Sequence, residues 1–176
     1  MITLISGASH TGKTVLAGQL AKRTGALALS IDHLKMGLIR SGQTSLTPCS
    51  SDEQLTEYLW PIVREMIRTA IENRQDLIVE GCYIPADWAD DFSAAELSEI
   101  HAVCLVLDPE TLSTRFEQVL DHACDAERRL SDDFTLKQAI EDNQKTLDEF
   151  QDSESQIVLI QDDYESRMEL LISSLA

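Results

Sequence analysis

Eight residues near the start of the chain have the types and spacing for phosphate chemistry. Gly7-Ala8-Ser9-His10-Thr11-Gly12-Lys13-Thr14 fits the pattern G-x-x-x-x-G-K-S/T in full. An apolar run that reads as a strand precedes it and a helical pattern follows, the setting in which this spacing wraps a phosphate chain. Glycines let the backbone turn tightly so that successive N–H groups point inward, and the helix start adds its positive end. Lys13 then supplies a full charge to the β and γ phosphates of a nucleotide, and the Thr14 hydroxyl can ligate Mg²⁺. His10 reads as a spacer with its side chain outward. The competing reading is a glycine-rich turn that only joins strand to helix.

Other candidates stand at the ends of later apolar runs. Asp32, in Ser30-Ile31-Asp32-His33, would face the cleft beyond a strand end, where a carboxylate can accept a hydroxyl proton and orient its oxygen for in-line attack. The plainer reading is a cap for a helix over Leu34–Arg40, which is compatible with that role. Glu80, after Leu77-Ile78-Val79, places a charge at the exit of a buried strand and needs a partner, for which Mg²⁺ is the obvious choice. Asp108, after Val103–Leu107, imitates a metal-binding acid, but with Pro109 behind it reads better as a helix cap. Arg128-Arg129 interrupts an acidic stretch and suits a lid over residues 121–133 that closes on transferring phosphates, against the plainer reading of surface ion pairs. Tyr83, Trp60, Arg40 and Arg64 are further substrate-side candidates, each also suited to packing or surface pairing.

These residues need a scaffold, and the periodicity supplies one. Continuous apolar bursts at Ile2–Ser6, Ala26–Ile31, Asp76–Glu80, His101–Leu107 and Gln156–Ile160 read as strands covered on both faces. Helical patterns fill the intervals at Thr14–Thr24, Asp52–Asn73, Pro109–His122, Phe134–Phe150 and Glu165–Leu175. Pro61 is expected to kink or split the second of these. The alternation makes an α/β protein with a mainly parallel sheet in one domain over residues 1–176. Ser41–Ser51 reads as a mobile loop, and the acidic stretch Ala86–Glu99 as solvated surface.

Composition narrows the partners. Fourteen Lys and Arg against thirty-one Asp and Glu give a net charge of −17, which argues against nucleic acid and against an anionic membrane surface. No apolar run approaches the roughly 18 residues of a membrane span, and the apolar start lacks the basic region of a signal peptide. Cys49, Cys82, Cys104 and Cys124 share no C-x-x-C spacing and read as reduced thiols in a cytoplasmic protein.

The glycine motif alone leaves GTPases, ATPases and small-molecule kinases open. No D-x-x-G follows a second strand, and Asn143-Gln-Lys-Thr is no guanine-binding N-K-x-D. With Ser-x-Asp at residues 30–32 and Val-Glu-Gly at 79–81, the chain resembles the P-loop small-molecule kinases of the nucleoside and nucleotide kinase-like group. Those two motifs look like the uridine kinase and phosphoribulokinase pattern; the short length, Leu107-Asp-Pro and Arg115 look more like shikimate kinase, gluconate kinase and chloramphenicol phosphotransferase. The resemblance implies a P-loop NTPase fold with five parallel strands in the order 2-3-1-4-5, a small lid and a helical substrate-binding segment at 33–75. It also implies that Arg115 flanks the adenine, that Arg128 or Arg129 touches ATP phosphates, and that Asp32 and Glu80 serve the acceptor and the metal. Glu80-Gly-Cys-Tyr-Ile-Pro85 replaces the substrate motifs of shikimate and adenylate kinase, so neither activity is expected. The reading is an ATP- and Mg²⁺-dependent kinase acting on a hydroxyl of a metabolite, nucleoside or antibiotic, as a monomer or homodimer. The alternative is a P-loop regulatory protein or NTPase without a small acceptor.

Overall fold

A computed structural model of the chain describes residues 1–126, 135–161 and 164–175, with the backbone alone for 119–126. Arg128 and Arg129, and most of the expected lid, lie outside the described residues. Five parallel strands form one sheet: β1 (Ile2–Gly7), β2 (Leu27–Ser30), β3 (Leu77–Glu80), β4 (Ile100–Leu107) and β5 (Gln156–Ile160), in the order β2-β3-β1-β4-β5. The order is the one the kinase resemblance implies. Register aligns the strand exits that matter: Ser30 pairs with Glu80, Glu80 with Ile5, and Gly7 with Leu105. The first glycine of the loop, the β3 glutamate and the β2 serine therefore leave the sheet side by side.

Helices α1 (Lys13–Thr24), α2 (Ile31–Arg40), α3 (Asp52–Glu72), α4 (Ala94–Leu97), α5 (Pro109–Ala126), α6 (Leu136–Phe150) and α7 (Tyr164–Leu175) flank the sheet. On one face Leu55, Leu59, Val63 and Ile67 of α3 and Ile31 of α2 pack with Leu4 and Val79. On the other, Leu16 and Leu20 of α1, Ala139 of α6 and Leu171 and Ile172 of α7 pack with Ile5, Val103 and Leu105. Strands covered in this way must be apolar at nearly every position, and β1 and β3 are buried throughout.

Five expectations about the elements need correction. β2 is an edge strand with an open face, where Leu27 is 71% exposed, so only the inner strands are covered on both sides. α2 begins at Ile31 and not Leu34, because Ile31 is the residue that buries under the helix. α3 runs unbroken through Pro61, which sits on the exposed side, where water can take the carbonyl that the ring leaves unpaired. α5 continues past His122 to Ala126 and departs from helical geometry at Arg115 (φ −126°, ψ 18°). The 86–99 stretch is not simply solvated: a 3₁₀ turn over Trp88–Asp91 buries Trp88, and Phe92 follows it into the core. Trp88 Nε1 donates to Ser155 Oγ at 2.9 Å, which ties this stretch to the start of β5.

Candidate active site

The loop between β1 and α1 has the backbone that a phosphate cradle requires. Gly7 has φ +138°, and a Cβ there would meet the Leu105 carbonyl oxygen at 2.3 Å. Gly12 has φ +88°, and a Cβ would stand 2.2 Å from the Tyr164 hydroxyl. Only glycine fits either position. His10, also left-handed at φ 63°, is half-buried. Ala8 O is the hub of the loop: Thr11 Oγ1 donates to it at 2.9 Å and Lys13 Nζ at 2.6 Å. Lys13 is buried, so its ammonium lies folded across the loop and not out in solvent. Ser9 is half-buried.

Thr14 Oγ1 donates to Glu80 Oε2 at 3.2 Å, across the β1–β3 boundary. Glu80 is 3% exposed, and its Oε1 is buried with no hydrogen bond among the described residues. Burial raises the Glu80 pKa; the adjacent Ser30 hydroxyl, the Lys13 charge and the Thr14 hydroxyl pull it back without cancelling the rise. Ser30 Oγ itself stops short of hydrogen-bond geometry. A buried carboxylate oxygen without a donor, beside a threonine hydroxyl, is a hard-oxygen set that suits Mg²⁺ held by one or two protein groups together with waters and phosphates. No cluster of three or more His, Cys, Asp or Glu occurs among the described residues, so an all-protein metal cage is not what this site resembles.

Asp32 lies in the first turn of α2, and the N-cap position belongs to Ser30, so Asp32 does not cap the helix. Its partner is Lys35, whose Nζ donates to Asp32 Oδ1 and, at 2.9 Å, to the Tyr83 hydroxyl. Burial alone would lower the Lys35 pKa, but the hydrogen bonds and charges of Asp32 and Tyr83 outweigh it and hold the ammonium well above its ordinary value. Burial also pushes the Tyr83 phenol up to about 12. Asp32 is felt electrostatically at Glu80, Cys82 and Tyr83, which places all four at one end of the sheet.

The remaining candidates separate. Asp108 caps α5: Glu110 N and Thr111 N donate to its Oδ1 at 2.9 and 3.1 Å, and Thr111 Oγ1 to its Oδ2 at 2.6 Å. Although burial works against it, those donors hold its carboxyl below the usual range. Trp60 Nε1 and Arg64 Nη1 both donate to Asp91, at 2.7 and 2.8 Å, so the two serve the 3₁₀ turn and not a substrate. Arg40 is exposed at the far end of α2, about 12 Å along the helix from Asp32. Arg115 is exposed at the break in α5. Lys35 and Tyr164 were not foreseen. Lys35 had a local signal, the i,i+3 spacing from Asp32 on a helix; Tyr164 had none, because its approach to Gly12 depends on where β5 delivers α7. A cavity of about 450 Å³, lined by Met1, Arg23, Ala26, Asp76 and Ser173 among others, opens at the opposite ends of the strands and is no part of this site.

No protein-family model matches the sequence, and no curated protein matches it either. Solved structures do resemble the fold. Shikimate kinase from Aquifex aeolicus vf5 is 18% identical with a TM-score of 0.54, over 99% of this chain and 96% of that one. Shikimate kinase from Bacteroides thetaiotaomicron gives 14% and 0.56 over 99% and 98%, and deoxyadenosine kinase from M. mycoides 10% and 0.54 over 99% and 98%. The chain has the P-loop kinase fold that these proteins share, with the glycine loop, the β2 exit and the β3 exit at one end of the sheet.

Proposed function

We propose that the chain is a phosphotransferase that moves the γ-phosphate of ATP to a hydroxyl of a small molecule. The observation that carries the reading is the juxtaposition at the strand exits: Lys13 and Thr14 on the loop, Glu80 bonded to Thr14, and Asp32 two residues beyond Glu80's register partner Ser30. A switch or plain NTPase needs the first three; a carboxylate on the β2 side is what an acceptor hydroxyl needs.

In this reading the amides of 7–14 hold the phosphates, and Lys13 leaves Ala8 O to meet their charge. Exchanging a neutral carbonyl for anionic phosphate oxygens strengthens the bond to the ammonium, because the acceptor then carries the opposite charge as well. Thr14 and Glu80 would hold Mg²⁺, which neutralises charge on the phosphates when bound. Asp32 orients the acceptor hydroxyl and takes its proton as the oxygen attacks in line. Arg128 and Arg129 serve a lid over 121–133, Arg115 lies beside the adenine, and 33–75 forms the acceptor side, all in one domain. The partners are ATP and a small-molecule acceptor, without nucleic acid or membrane, for a monomer or homodimer. The described cysteines, Cys49, Cys82 and Cys104, are free thiols, which supports a cytoplasmic setting.

The test is a screen of polyols, sugars, nucleosides and amino alcohols with Mg·ATP, reading ADP release above hydrolysis by water. Lys13→Ala should abolish the signal with the fold intact, because its ammonium serves phosphate and not the core. Full activity in Lys13→Ala would remove the loop from the chemistry.

A further inference from the structure

The acceptor-side carboxylate is gripped by a neighbour that phosphate chemistry does not itself call for. Lys35 Nζ donates to Asp32 Oδ1 and to the Tyr83 hydroxyl, and it stands 4.8 Å from the centroid of the Tyr83 ring. The Lys35 side chain is 12% exposed and that of Asp32 26%. Tyr83 is buried, on the segment that leaves β3 three residues after Glu80. Two separate elements, α2 and the β3 exit, thus converge on one ammonium.

Stability is a poor explanation for the arrangement. A partly buried ion pair loses in desolvation about what it gains in attraction, and i,i+3 helix pairs add little to stability. Lys35 is one turn inside the start of α2, and helical side chains lean back toward that end, so its ammonium faces the positive end of the helix dipole. An apolar residue would pack there at lower cost. What an ammonium adds is direction: it fixes one carboxylate oxygen and leaves Oδ2 to receive a proton.

We propose that Lys35, braced by Tyr83, is a positioning residue that clamps Oδ1 of Asp32 so that Oδ2 faces the acceptor hydroxyl. The proposal rests on the phosphotransferase reading above. Lys35 acts through Asp32 and not on the nucleotide, so the affinity for Mg·ATP does not depend on it.

The test uses the full chain with Lys35→Met, Lys35→Arg, Asp32→Asn and the Lys35→Met/Asp32→Asn double variant. Met keeps the length and apolar stem without the charge; Arg keeps a cation. With whichever hydroxyl probe of the screen is phosphorylated, Lys35→Met should lower kcat on the order of 100-fold, the scale of a misplaced catalytic group. The KM for ATP should stay within twofold, and Lys35→Arg should recover most of the loss. In the Asp32→Asn background the same change should cost less than twofold more, because its route is already gone. Losses that multiply in the double variant, or a higher KM for ATP with kcat kept, would overturn the proposal. Crystal structures of the variants decide the clamp without turnover: the Asp32 carboxylate should leave its place in Lys35→Met and keep it in Lys35→Arg. An unmoved carboxylate in Lys35→Met would equally sink it. If the parent chain phosphorylates no probe, the phosphotransferase reading fails on its own, and the crystallographic comparison still decides whether Lys35 places Asp32.

Discussion

Glu80 is held at some cost. Its carboxyl is buried at the end of the sheet that carries the glycine loop, one oxygen has no donor among the described residues, and its pKa is raised. A carboxyl whose folded pKa lies above its unfolded value favours the folded state while protonated, and that contribution is lost as pH rises through the folded value. At neutral pH the ionised Glu80 therefore weakens the ligand-free fold, and a bound cation would offset the cost. Glu80→Gln should raise the melting temperature of the ligand-free protein at pH 7–8, with the gain shrinking as the pH falls to the ordinary carboxylate range. The same variant should need more Mg²⁺ for activity. Paired melts and Mg²⁺ titrations check both halves, and a lower melting temperature at neutral pH would contradict the first. For Asp32 the cap reading no longer competes, since Ser30 holds that position. Asp32→Asn should leave ATP affinity in place and reduce acceptor-dependent ADP release by roughly 10²–10⁴-fold, the range for losing a general base. Near-normal transfer would leave Asp32 as a structural partner of Lys35.

At the scale of elements, what was legible in the sequence is what local patterns encode. The glycine loop was complete, because its backbone needs are met by glycines within eight residues. Strand cores were legible to within a residue or so at most ends, and β5 at both, because buried parallel strands are uniformly apolar. The start of α2 was not, because a serine N-cap without a side-chain bond leaves no signature. Nor was the role of 86–99, where acidic residues pair with α3 arginines 27 and 28 residues upstream: Arg64 donates to Asp91 Oδ1 at 2.8 Å and Arg68 to Glu96 Oε1 at 3.3 Å. Asn143, whose sequence context shows only a failed guanine motif, braces the sheet. Leu107 N donates to Asn143 Oδ1 at 2.8 Å, and Asn143 Nδ2 donates to Ala139 O at 2.8 Å, both in the interior. Leu107 ends β4 and precedes the Asp108 cap, so Asn143 fixes where that strand stops. Asn143→Leu keeps the volume and strands the Leu107 amide; a buried donor without a partner costs about 1–3 kcal/mol. Denaturant melts should show a loss of that size with an unchanged m-value, whereas a loss within 0.5 kcal/mol would mean that α6 shifts to rebuild the contact.

At the scale of the molecule, the phosphotransferase reading puts a site for an anionic nucleotide on a strongly anionic body. A net charge of −17 on 176 residues makes the compact state repel itself, and unfolding relieves that repulsion by spreading the charges. On that reading Lys13, Thr14 and the amides of 7–14 attract the phosphates only at short range, while the distant field opposes their approach. Salt acts on these two ranges differently. The Debye length falls from about 30 Å at 0.01 M to about 8 Å at 0.15 M, so added salt removes the long-range repulsion first and reaches buried contacts last. Two results are expected from NaCl titrated over that interval at neutral pH. The melting temperature of the ligand-free chain should rise and then level off, and the association rate of ATP should increase while its dissociation rate changes little. A fluorescent ATP analogue in stopped flow reads the rates, and thermal melts read the stability. Slower association with added salt would mean that the local field of the loop, with Arg115 and the arginines beyond Ala126, outweighs the body's charge and steers the nucleotide in.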